Sequence, residues 1–336
     1  MNILYQCNNK YAPYCGVSIT SLFENNKNSD RISVYILSDN IEQDNLDKFQ
    51  LLASKYNREI FIIETEQIVQ KMIELGMPAY RGSYSANLKM FVSEFGLDTL
   101  DRLLYIDSDT VVTGDLSEVF ELDIKNSPVA MSQDSLVINH KIDIGFNIEE
   151  KYYNSGVILF NIEEWKKQHC TERIVEHVIN VRAHYPSPDQ DLINVVIKDD
   201  IYELPPEYNM EPAYYMFSAK NYYRVFRNPS FYKKEVLEKA KGNEKIIHFF
   251  RVMGEFPWHK DNMHPFNDLF DKYLSISPWA DYEKELSGIA WVFNAEKLLY
   301  KYLPESIFIR LFHLSHIWFM KKSNKLSLKN ESNKYM

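Results

Sequence analysis

Arg102-Leu-Leu-Tyr-Ile-Asp107-Ser108-Asp109-Thr-Val-Val112 runs an apolar stretch straight into two carboxylates one residue apart. Leu103 to Ile106 show no polar alternation, the pattern of a strand buried on both faces of a parallel sheet. The acids then fall at the carboxyl end of that strand, where open α/β sheets bind their ligands. Two carboxylates on one short turn repel each other unless a proton or a cation lies between them. Hard divalent cations take carboxylate oxygens and share them with substrate phosphates. The turn therefore reads as a metal–diphosphate site, with a solvated acidic turn as the alternative.

Outward from this stretch, the first half of the chain alternates strand and helix. Asn2–Tyr5, Ile32–Leu37 and Glu59–Ile63 read as strands, and Tyr14–Glu24 and Ile41–Lys55 as helices. A βαβαβ order predicts a parallel sheet. A helix over about Ser85–Phe95 leads into the acidic turn. Val129–Ser132 and Gly156–Asn161 read as further strands, Cys170–Arg182 and Asp189–Ile197 as helices, and Asn161 as the cap of a helix through Trp165. Residues 202–231, rich in Tyr, Pro and Asn, show no period and read as long aromatic surface loops. No Gly-x-Gly-x-x-Gly follows the first strand, which counts against NAD or FAD binding.

The net charge of −9 argues against a nucleic-acid binder, which needs a basic face. Cys7, Cys15 and Cys170 are three scattered thiols without zinc-type spacing, as expected in a reducing compartment. The chain opens on a strand-like Ile3-Leu4-Tyr5 with no signal-peptide pattern, and no apolar run is long enough to span a bilayer. A cytoplasmic protein is the expectation. Composition shifts after about Ser275, giving an expected division into residues 1–275 and a helical extension, 276–336. In the extension Phe308, Leu311, Phe312, Leu314, Ile317, Trp318 and Phe319 precede Lys321, Lys322, Lys325 and Lys329. Such a segment suits an interfacial helix on anionic lipid at the inner face of the membrane. The alternative is a helix docked on the protein's own core.

Five segments line up in order: Gln6-Cys-Asn8-Asn-Lys-Tyr11, Asp107-Ser-Asp109, Tyr153-Asn154-Ser-Gly156, Asp189-Gln190-Asp191, and Ile246-Ile-His248-Phe with Pro257-Trp258 downstream. This order resembles family 8 of the retaining glycosyltransferases, which includes bacterial lipopolysaccharide galactosyl- and glucosyltransferases and glycogenin. The resemblance runs from Met1 to about Trp258. It implies a GT-A fold, a Rossmann-like mixed sheet flanked by helices, and hexose transfer from a UDP-sugar to a glycan, lipid-linked or surface-polymer acceptor.

By the same resemblance, Asp107, Asp109 and His248 hold Mn²⁺ or Mg²⁺, and imidazole favours manganese. Tyr11 stacks on the base and Asn8 contacts it. Lys89 stands where the family has an arginine that pairs with phosphate and sugar, although a solvated helix position is the other reading. Ser108, Asp134, Asn154 and Asp189 contact the donor. Gln190 and Asp191 are the candidate catalytic side chains near the reacting face of the sugar, while Asp189 also reads as a helix N-cap and Asp191 as a favourable charge in the first turn. Phe256 replaces the family's phosphate-binding lysine, and Arg251 is the candidate substitute. Retention would follow from double displacement or from front-face attack. Two other readings stand beside this one: a non-catalytic sugar-nucleotide-binding protein on the same fold, and a metal-dependent phosphatase of the haloacid-dehalogenase type.

Overall fold

The computed structural model describes residues 1–80, 82–135, 138–181, 185–288 and 291–314. Its strands are β1 (Asn2–Asn8), β2 (Ser33–Asp39), β3 (Glu59–Glu64), β4 (Arg102–Ile106), β5 (Thr110–Val112), β6 (Val129–Gln133), β7 (Tyr153–Asn161), β8 (Ile201–Glu203) and β9 (Ile246–His248). Seven form one sheet in the order β3-β2-β1-β4-β7-β6-β8, and β5 pairs with β9 in a separate ribbon. The first four in chain order are parallel, as the alternation with helices dictates. The second half departs from that expectation. β7 runs antiparallel to both β4 and β6, so the sheet is mixed.

Side-chain alternation explains why the central strands look uniformly apolar. Ile3, Tyr5, Leu104 and Ile106 pack into a core on one face. Leu4, Leu103 and Tyr105 pack into a second core on the other. With both faces covered, a period of two leaves no polar position.

Three further expectations change. The segment before β4 is not an α-helix: Ser85–Glu94 forms 3₁₀ turns interrupted by non-helical Phe91. A helix unforeseen from sequence, Glu66–Glu74, follows β3 and buries only Met72. The stretch 202–231 is not an open surface loop. It holds the end of β8, a 3₁₀ turn, and short helices at Ala213–Met216 and Ala219–Phe226. Tyr208, Tyr214 and Tyr222 are buried there and belong to the main core. Large rings contribute burial that such short elements lack from backbone regularity.

Residues beyond 275 pack on the same core. Trp279 is 2% exposed, donates its indole N–H to Asn45 (2.8 Å) and meets the Phe49 ring edge-on. It lies directly against Gly16 of the helix Ala12–Asn25, where a β-carbon would come within 2.1 Å of the indole. Phe308 and Ile309, in a stretch helical over 305–314, also join the core. Lys297, on the helix Trp291–Tyr302, reaches 2.7 Å to buried Glu255. Trp291, Tyr302 and Leu314 point outward, at 78%, 72% and 65% exposure. Ile317, Trp318, Phe319 and the lysines at 321, 322, 325 and 329 lie outside the described residues. Among the described residues, no helix is long and apolar enough to cross a membrane. Cys7, Cys15 and Cys170 are free and buried.

The Gly16–Trp279 contact generates a test. Gly16→Ala should destabilise the protein by about 1–3 kcal/mol, the usual cost of overpacking. In a Trp279→Ala background, itself destabilised by about 3–5 kcal/mol, the added methyl should cost little more. Urea unfolding midpoints of the four proteins in this cycle provide the check.

Candidate active site

The pairing of β4 with β7 brings distant segments together. Ile106 faces Val157 in register, and the Asp107 amide donates to the Gly156 carbonyl at 2.7 Å. Because β7 is antiparallel, its start lies beside the end of β4. Asn154, Ser155 and Gly156 therefore flank the acidic turn. The β5–β9 ribbon sets Thr110 opposite His248 and so delivers the histidine to the same place. The start of the helix Pro188–Ile197 closes the third side.

These elements surround an open cleft of about 370 Å³, at the lower end of small-molecule sites. Of the residues singled out by sequence, Tyr11, Lys89, Asp107, Asp109, Asn154, Asp189, Gln190, His248 and Arg251 line it. One ligand atom each from Asp107, Asp109 and His248 lie within 4.8 Å of one another. His248 Nε2 is 3.3 Å from Asp109 Oδ1 and 3.8 Å from Asp107 Oδ2. Cis ligands held at about 2.1 Å from one cation sit roughly 3 Å apart, so modest closure would complete such a site. The donor set, two carboxylates and an imidazole, fits a divalent transition-metal ion.

The other oxygen of Asp107 is held in place by the Tyr105 hydroxyl and by Lys89 Nζ at 3.4 Å. Lys89 is 1% exposed, so the solvated-helix reading fails. Its ammonium also donates to Asp189 Oδ2 (3.0 Å) and to the Ser155 carbonyl (3.1 Å), and it sits 4.4 Å from the centre of the Tyr105 ring. Burial alone would lower its pKa, but the Asp107 and Asp189 carboxylates outweigh burial and hold it above the usual lysine value. His248 follows the same pattern. Burial opposes its charge, yet Asp109 and Asp107 raise its pKa above the ordinary imidazole value.

Four expected site residues stand back from the cleft. The Asn8 Oδ1 accepts the Tyr11 amide (3.0 Å) and so caps the turn that presents Tyr11. The Ser108 hydroxyl donates to the Gln6 carbonyl at 2.6 Å. Asp134 is buried and accepts from Asn154 Nδ2 (2.8 Å) and Gln190 Nε2 (3.1 Å). Asp191 is wholly buried, accepting from the Tyr152 hydroxyl (2.5 Å), His140 Nε2 (2.7 Å) and the Ser187 amide (2.8 Å). Of the Gln190–Asp191 pair, only Gln190 reaches the cleft, because neighbours on a helix point in different directions. Asp189 is not a cap either. Ser187 holds that position, and Asp189 serves Lys89 and the Ser155 hydroxyl instead.

At the cleft mouth, Arg251 lies over the Phe256 ring at 5.0 Å. Phe256 stacks on Trp258 (4.3 Å, 11°), and Trp258 stacks on Tyr14 (4.1 Å, 19°). Residues that the sequence did not flag include Tyr105, Tyr152, Asn209 and Glu211. Asn209 bonds both His248 and Asn154. Glu211 is buried behind Asp134 and accepts from the Ser135 hydroxyl (2.6 Å) and amide (3.1 Å).

Glu211 makes the site's stability depend on pH. Burial, and then the nearby Asp134, push its pKa up from 4.5 to about 7. Between those values the folded state holds more protons than the unfolded state, so stability falls as pH rises through the window. Glu211→Gln mimics the protonated acid. Its melting temperature should fall less than that of the parent between about pH 5 and pH 8, as read by calorimetry.

The sequence profile of the family described as "Glycosyl transferase family 8" matches residues 2–262. "General stress protein A" of Bacillus subtilis is 26% identical over 286 residues, covering 83% of this chain and 94% of that protein. "Lipopolysaccharide 1,2-glucosyltransferase" of Escherichia coli is 28% identical over 284 residues, covering 84% and 79%. The galactosyltransferase LgtC, solved in complex with donor and acceptor sugar analogs, superposes with a TM-score of 0.65 at 20% identity. That overlap takes in 82% of this chain and 96% of LgtC and places the mixed sheet in the GT-A fold. The family match over residues 2–262 displaces the phosphatase alternative. A profile match over most of the chain, carried by this fold, makes the protein a glycosyltransferase of family 8.

Proposed function

We propose that the protein is a retaining hexosyltransferase that moves glucose or galactose from a UDP-sugar to a lipid-linked or surface-polymer glycan, with Mn²⁺ or Mg²⁺ as cofactor. The observation that carries this reading is the convergence of Asp107, Asp109 and His248 beside buried Lys89 on the cleft wall. The activities named for the E. coli relative and for LgtC support a hexose. Asp107, Asp109 and His248 would hold the cation, which supplies Lewis-acid neutralisation of the diphosphate when bound.

The remaining work falls to the chain's own groups. Tyr11 offers its ring to the base, a contact worth about 1–3 kcal/mol in single-strand binders. Lys89 brings a desolvated positive charge close to the acids, where it favours negative charge building on the leaving phosphate. Asn154, Asp189 and Gln190 offer acceptors and donors to the sugar hydroxyls. Arg251, supported on Phe256, supplies the cation that the family's lysine otherwise gives. Front-face attack suits this pocket better than double displacement. Asp191, the carboxylate otherwise suited to nucleophilic attack, is held by three donors away from the cleft. In front-face attack the leaving phosphate takes the acceptor's proton, and no side-chain nucleophile is required.

Residues 1–275 form the catalytic unit in this reading. The extension from 276 onward, with its outward aromatics and distal lysines, rests on anionic lipid at the inner face of the cell membrane. Removing residues 315–336 should then reduce co-sedimentation with anionic vesicles and leave the soluble activity intact. Unchanged sedimentation would remove the membrane contact from the proposal.

A donor screen with Mn²⁺ or with chelator, scored by release of nucleoside diphosphate, tests the chemistry. UDP-hexose should be turned over only with the ion. Asp109→Asn and His248→Ala should each lower kcat/KM by about 10²-fold or more, the scale of a lost electrostatic stabiliser. Saturable donor binding without turnover would instead mark a binding protein.

A further inference from the structure

We propose that Asn209 is a positioning residue: it fixes which ring nitrogen His248 offers to the cation, and it ties that choice to the sugar pocket through Asn154. The proposal rests on the cation site described above and extends it to a residue that touches neither cation nor substrate.

The argument follows hydrogen-bond direction from a group that cannot be reversed. The Gly156 backbone amide can only donate, and it donates to Asn154 Oδ1 at 2.9 Å. That contact settles which end of the Asn154 amide is oxygen. Its nitrogen therefore faces Asp134 Oδ2 (2.8 Å) and Gln190 Oε1 (3.0 Å). Asn209 meets the same Asn154 oxygen at 2.8 Å, so it must present Nδ2 there. Its oxygen is then left for His248 Nδ1 at 3.1 Å. A carbonyl oxygen can only accept, so Nδ1 of His248 carries the hydrogen. In the neutral ring, the lone pair then belongs to Nε2, the atom that faces Asp109 and Asp107. A metal-binding histidine needs this tautomer, and the partner on its other nitrogen sets it.

The surroundings leave the ring little freedom to choose otherwise. His248, Asn209 and Asn154 are buried at 4%, 5% and 6% exposure. A β-carbon on Gly156 would lie 2.2 Å from Cε1 and 2.6 Å from Nδ1 of His248, so only glycine lets the imidazole pack against β7. The His248 amide donates to the carbonyl of Met210, the residue after Asn209, and so holds both side chains in one register. The result is a continuous path from His248 through Asn209 and Asn154 to Asp134 and Gln190. One amide side chain thus serves the cation site with its oxygen and the sugar pocket with its nitrogen.

That division of labour gives the test. Mn²⁺ alone, titrated into the full-length protein and followed by the electron paramagnetic resonance of the free ion, reads the cation site without turnover. Asn209→Ala should weaken Mn²⁺ binding by about 10–100-fold, the usual cost of removing such a partner. Asn209→Asp keeps an acceptor for Nδ1–H but loses the donor to Asn154. It should bind Mn²⁺ at least as tightly as the parent while the KM for the UDP-sugar rises. Equal Mn²⁺ affinity in the parent and Asn209→Ala would overturn the proposal. So would equal loss in both variants, which a merely structural asparagine would produce. A parent that binds no Mn²⁺, or binds it unchanged after His248→Ala, would overturn the cation site itself and this proposal with it.

Discussion

The buried ammonium of Lys89 is the constraint around which the cleft is arranged. A fully desolvated charge is costly unless it is paired and hydrogen-bonded. Here it has carboxylates from two separate segments, Asp107 at 3.4 Å and Asp189 at 3.0 Å, plus a backbone carbonyl. It holds β4, β7 and the helix Pro188–Ile197 at fixed distances. It also lets three carboxylates crowd one pocket without an equal number of counter-charges from solvent. The reciprocal effect is the raised lysine pKa, which keeps the positive charge in place across the neutral range.

Around that charge the cleft is graded in polarity. On the β7 side, amides and carboxylates bond one another, with Asn154, Gln190 and Asp134 forming a closed triangle. On the other side, the three-ring stack of Tyr14, Trp258 and Phe256 stands as an apolar post with Arg251 on its outer face. The stack explains how Phe256 is accommodated at the position where the family resemblance implies a lysine. The ring is fixed by its neighbours and steadies the Arg251 guanidinium on its face.

Much of this was legible in the sequence. The strand into Asp107 and Asp109, the early strand–helix alternation, and the order of the Asn154, Asp189 and His248 segments all reflect local periodicity or short motifs. Apart from the helix Glu66–Glu74, what escaped is non-local. The sequence marks Lys89 but not its partners: it is 18 residues from Asp107 and 100 from Asp189, so no helical spacing reveals them. Asn209 lies 39 residues from His248, inside an aromatic stretch whose lack of period hid short core-packed turns. Asp191 resembled its neighbour Gln190 in sequence, but the phase of the helix turns the two side chains apart, and only tertiary packing decides which one faces the cleft.

The Lys297–Glu255 contact reaches from the helix Trp291–Tyr302 to the edge of the cleft. Glu255 sits between Arg251 and Phe256 and is paired through its backbone with Val252, so this turn forms one rim of the cleft. The helix that carries Lys297 is also the one whose Trp291 and Tyr302 face outward. Lys297 also donates to the Asp261 carbonyl (3.3 Å), and Tyr300 of the same helix donates to the Met216 carbonyl (3.1 Å), so the helix is tied to both the rim and the core. One edge of the cleft is thus braced from 42 residues downstream, by a side chain outside the segment that carries the acidic turn.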